Sequence, residues 1–81
     1  MPVVLRVGGF AFKIFSNDHD PPHVHVRYAG KRCKMILSTL VMTHSDMNES
    51  EEATAVRIVA ANREVLEAAW AALHEEKGGG E

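Results

Sequence analysis

The 81-residue chain has a single cysteine, Cys33, so no disulfide can form within it and the fold has to be held by its core. It lacks any apolar run long enough to cross a membrane, and its first residues show no signal-peptide pattern; together these lead us to expect a cytoplasmic protein with no membrane partner. There is no internal repeat and no linker that would divide the chain. The Gly8-Gly9 pair opens no helix and lacks the lysine and hydroxyl of a phosphate loop, which excludes nucleotide binding of that type. A composition of 46% hydrophobic and 25% charged residues is that of a folded domain. We therefore expect one domain over residues 1–77 with a modest core, followed by a flexible glycine-rich tail at residues 78–81.

A net charge of −2 conceals an uneven distribution. Before residue 45 the chain carries Arg6, Lys13, Arg27, Lys31, Arg32 and Lys34 against only Asp18 and Asp20. After it, Arg57, Arg63 and Lys77 face nine carboxylates. A basic half and an acidic half either attract one another or steer an anionic ligand to one face.

The first half alternates with period two. Val3, Leu5 and Val7 form one apolar row, and Phe10, Phe12 and Ile14 form the next after a Gly8-Gly9 hairpin turn. Val24, Val26 and Tyr28 make a third row. Cys33, Met35 and Leu37 make a fourth, which marks Cys33 as a small buried hydrophobe rather than a nucleophile. The second half has helical period from about residue 49 to 76. Asn48 and Glu51 are spaced as a capping box, and glycines 78–80 end the helix. Its apolar arc holds Ala55, Ile58, Val59, Leu66, Ala69, Trp70 and Leu73, interrupted by Asn62 with Arg63 at the edge. The fold expected is α+β: a four-stranded antiparallel meander packed against one long C-terminal helix. The other sheet face would then collect Arg6, Lys13, His23, His25, Arg27, Arg32 and Lys34.

Residues 16–26 read SNDHDPPHVHV. Asn17-Asp18 and Pro21-Pro22 are turn chemistry, so the segment begins as a loop and becomes a strand near His23. Strand alternation puts His23 and His25 on one side, about 6–7 Å apart. Three readings follow. As general base and general acid, the two imidazoles would cleave a phosphodiester, with Asp18 orienting a ring, Arg27 and Lys13 stabilising charge, and Arg6, Arg32 and Lys34 holding nucleic acid. As a divalent-metal site, the pair needs ligands from the loop, giving Asp18, His19, His23 and His25. As a non-catalytic module, the same face binds a partner. No cofactor other than such a metal is expected. His-Val-His-Val also starts like a histidine triad, but Arg27 stands where the third histidine belongs.

"VVLRVGGFAFKIFSNDHDPPHVHVRYAGK" followed by a helix with "NREVLEAAW" resembles the bacterial family of domain of unknown function 4160, from Met1 to about Leu73. The family's motif falls on Ser16, Asn17, Asp18, His19, Pro21, Pro22, His23, His25, Asn62, Arg63 and Trp70. Departures lie in "STLVMTHSDMNES", which replaces a more basic link, and in alanines at 60 and 61. The resemblance implies the toxin half of a type II toxin–antitoxin pair, with a small antitoxin or regulatory protein as partner; the imidazole pair on a basic face makes RNA the expected target if the protein is catalytic, and a homodimer is a further option.

Overall fold

A computed structural model of the chain describes the backbone of residues 3–78 and the side chains of residues 3–74. Five antiparallel strands come first: β1 (Val3–Val7), β2 (Phe10–Lys13), β3 (His23–Tyr28), β4 (Lys31–Ile36) and β5 (Met42–Thr43). They pair in chain order, and two helices follow, α1 (Glu49–Ala61) and α2 (Arg63–Gly78). The α+β class and the antiparallel meander are as the alternation predicts. The four-strand count and the single long helix are corrected.

The fifth strand is the short segment Met42–Thr43 in the link, paired with Met35 and Lys34 of β4. Two residues are too few to show alternation. The helix is broken at Asn62, the polar residue inside the apolar arc. Its φ of −119° and ψ of 21° leave helical space, and its backbone N–H is shared between the Ile58 and Val59 carbonyls. The side-chain amide also donates to the Ile58 carbonyl, at 2.8 Å. An amide that competes for a backbone acceptor in this way bends a helix. Gly78 belongs to α2, and the rest of the expected tail, residues 79–81, lies outside the described residues.

Three of the four apolar rows predicted from period two form the core, while the β1 row does not, with Val7 exposed. Phe12 faces Val26, Val26 faces Cys33, and Val24 faces Met35 across the ladders, and all five are buried. Ala55, Val59, Leu66 and Trp70 cover them from the helices, with Ile58, Ala69 and Leu73 at the margin. In β1 the row slips: the register shifts between Val3 and Leu5, so that Val4 and Leu5 pack on the core while Val3 pairs with Lys13. A bulge of this kind gives one strand an extra residue. The Gly8-Gly9 hairpin has φ of 55° and 84°, the two left-handed positions its turn type requires. At Gly9 a Cβ would also meet the Tyr28 ring at 3.3 Å.

Asn48 caps α1 as the sequence predicts: its side chain accepts from the Glu51 N–H at 2.8 Å, and Glu51 accepts from the Asn48 N–H at 3.0 Å. Glu51 also takes the Lys31 ammonium at 3.0 Å, which ties the helix start to the β3–β4 turn.

Candidate functional site

Strand pairing arranges the polar face of the sheet in rows. Arg6, Ala11, Arg27 and Arg32 are successive cross-strand partners from β1 to β4. Lys13, His25, Lys34 and Thr43 form the next row, from β2 to β5. Cross-strand partners lie about 5 Å apart at Cβ, so His25 sits between two lysines. Among the described residues the ion pairs are Asp18 with His23, Asp18 with His25, and Lys31 with Glu51. The side chains of Lys13, Arg27, Arg32 and Lys34 are therefore in none of these ion pairs, although the Arg32 backbone N–H donates to the Asp46 carboxylate at 2.6 Å.

This face is concave. A groove of about 460 Å³ is lined by Lys13, Phe15, His25, Arg27, Arg32, Lys34 and His44, with Val26 and Cys33 beneath them. Beside it a second hollow is lined by Asn17, Asp18, His19, His23, Lys34 and His44 among others. Lys34 and His44 belong to both. Arg6 is on the same face, at the end of its row, but lines neither hollow.

Asp18 is the hub. Its Oδ2 lies 3.0 Å from His25 Nε2 and 3.3 Å from His23 Nε2. The turn that carries it is closed by its own N–H, which donates to the Phe15 carbonyl at 3.1 Å. His23 and His25 do share a side, with ring centroids 5.1 Å apart. Their settings differ. His23 is 7% exposed, tucked beside the Trp70 indole at 5.3 Å, and its Nδ1 lies 2.9 Å from the Pro21 carbonyl oxygen. A carbonyl only accepts, so Nδ1 carries the hydrogen and donates. The His25 side chain is 32% exposed and meets the Phe15 ring edge-on at 4.9 Å.

Of the four loop and strand residues expected to converge, Asp18, His23 and His25 do so, with ligand atoms all within 4.8 Å of one another. His19 is exposed and outside that cluster. Sequence reasoning passed over His44, Phe15 and His74. His44 stands in the link where no periodicity points to it, with a left-handed φ of 54°. His74 stacks on Trp70 at 3.8 Å, and its two ring nitrogens lie 2.9 Å from the Trp70 and Asp18 carbonyl oxygens. Its place on the polar side of α2 hid that role. Cys33 is buried in the core row, and burial, reinforced by the Glu52 and Asp46 carboxylates, pushes its thiol up to about 11. It is no nucleophile at neutral pH.

The model of a family described as a domain of unknown function (DUF4160) matches residues 9–71. The chain belongs to that family. The DUF4160 match takes in Asp18, His23, His25 and Trp70, so the histidine centre is built wholly within it, whereas His74 falls just beyond. Searches of curated proteins and of solved structures returned no match. No helix among the described residues is long and apolar enough to cross a membrane.

Proposed function

We propose that this protein binds RNA along the basic groove and cleaves a phosphodiester at the Asp18–His23–His25 centre, acting as the toxin of a type II toxin–antitoxin pair. The observation that carries the reading is the row in which His25, hydrogen-bonded to Asp18, lies between Lys13 and Lys34. Phosphodiester cleavage needs a group to take the proton of the attacking hydroxyl, cations for the charge that gathers on phosphorus, and a donor for the leaving oxygen. His25 is the half-exposed imidazole of the centre. Asp18 orients it and supports the positive charge it gains, as a carboxylate does for a catalytic histidine. Lys13 and Lys34 flank the place a phosphate would occupy, and Arg27 and Arg32 extend the track along which a strand would lie. His44, on the rim, is the second imidazole within the groove. Phe15 offers a ring face on which a base can stack.

The test uses end-labelled single-stranded RNA and the intact protein. Affinity should fall with salt, and Lys34→Ala should lower the slope of log affinity against log salt by about 0.7, the loss of one phosphate contact. His25→Ala should abolish cleavage while leaving RNA bound. Equal cleavage by wild type and His25→Ala, or no affinity at low salt, would overturn the proposal. RNA held but uncut by the wild type would favour the non-catalytic binding module.

A further inference from the structure

We infer that Asp18, His23 and His25 hold one divalent first-row transition-metal ion, zinc being the ion to test, with an open coordination position toward the groove. His23 sets the requirement. Its Nδ1–H is committed to the Pro21 carbonyl, so in the neutral ring the in-plane lone pair is on Nε2. That lone pair faces Asp18 Oδ2 at 3.3 Å, and a carboxylate oxygen has no hydrogen to offer. Two acceptors in a nearly buried corner repel one another unless a proton or a metal ion lies between them. A proton serves one ring only, whereas a metal ion would serve both, because the Nε2 atoms of His23 and His25 converge on the same Asp18 oxygen. A carbonyl that fixes one nitrogen of a ring and frees the other is also the usual outer partner of a metal-bound histidine.

The separations fit. Zinc bonds of about 2.0–2.1 Å at tetrahedral angles place ligand atoms roughly 3.3 Å apart. The two nitrogen–oxygen separations are 3.3 Å and 3.0 Å, and the third side of the triangle needs to close from no more than 4.8 Å. Two imidazoles and one carboxylate are a donor set suited to zinc, iron or manganese, and three protein ligands leave a position for water or substrate. Lys34 lines the hollow on the Asp18 and His23 side. As a charged ammonium it repels the bare ion, but it attracts an anion placed on that ion. The site would therefore favour a phosphate oxygen as the exchangeable ligand. This does not depend on the RNA reading, because the ligand geometry is fixed before any nucleic acid is present; with the ion bound, His25 would be a ligand, and the ion would take over from the imidazole the task of supplying the base.

The experiment uses the full chain, stripped with chelator and titrated with Zn(II) or Co(II) alone. Expected are one equivalent of bound ion, a Co(II) visible spectrum of four-coordinate intensity, and a change in Trp70 fluorescence, since that indole adjoins His23. His25→Ala and Asp18→Asn should weaken affinity by about tenfold or more, whereas His19→Ala should bind as the wild type does. His23 is buried, and its replacement risks the fold, so the test relies on the other two variants, with circular dichroism confirming that each is folded. Absence of saturable binding by the wild type, or equal binding by Asp18→Asn and His25→Ala, would overturn the inference. Failure here leaves RNA cleavage standing with His25 as a metal-free base, and failure to cleave RNA leaves the metal site standing.

Discussion

His74 shows how one side chain can govern a site it does not enter. Both its ring nitrogens lie 2.9 Å from carbonyl oxygens, those of Trp70 and Asp18. It thereby ties α2 to the turn that presents the Asp18 carboxylate, while its face rests on the Trp70 indole that walls in His23. We expect His74→Ala to cost about 1–2 kcal/mol in denaturant unfolding, the worth of a hydrogen bond and a ring contact. A merely structural residue would do no more. If the proposed RNA reading holds and His74 is a positioning residue, His74→Ala should also, at a temperature where it is folded, reduce RNA cleavage more than RNA affinity, because the lysines proposed to hold RNA are elsewhere. Cleavage and affinity that stay at wild-type levels would show that Asp18 holds its place without it.

At the scale of elements, the capping box carries a pH signature. The Asn48 backbone N–H, and after it the Lys31 ammonium, hold the Glu51 carboxyl below its ordinary value of 4.5. A depressed carboxyl contributes stability that is present above its unfolded value and is lost as pH falls through the folded one. Glu51→Gln should therefore be destabilised at neutral pH, and its deficit against wild type should shrink in acid; thermal melts from pH 7 down to pH 3 would reveal this, and a deficit independent of pH would refute it. The start of α1 was legible because a cap is a local pattern of two residues. So were the core rows of β2, β3 and β4, which repeat at period two over enough residues to read. β5 was not, because a two-residue strand is made by its partner Lys34–Met35 rather than by its own composition. The break at Asn62 was not: the polar residue stood out in the apolar arc, but one long helix was expected through it, because nothing in the local pattern shows its side chain turning to the helix's own Ile58 carbonyl. In the site, strand alternation put His23 and His25 side by side, while the fold's return through α2 to His74 has no trace in either segment alone.

Among the described residues, two surfaces of the molecule stand out as ground for a partner: the basic groove, and the outer side of α2 where Val65 is 55% exposed. An antitoxin that shields the groove would bring carboxylates to Arg27 or Lys34, and its complex should dissociate faster as salt rises. One that grips α2 should be nearly indifferent to salt and should be lost on Val65→Glu. We expect the first result, and dissociation rates at low and high salt decide it. The sheet's borders bear on the same question. β5 contributes two residues, and β1 is interrupted by its bulge after Val3, so neither margin presents a long, regular ladder of free backbone groups. Copies of this protein meeting one another cannot easily extend the sheet edge to edge. Self-association would then fall to the groove or the helix, and if the toxin reading proposed above holds, that is the ground an antitoxin would claim, so that pairing with itself and pairing with such a partner would become competing fates of one population.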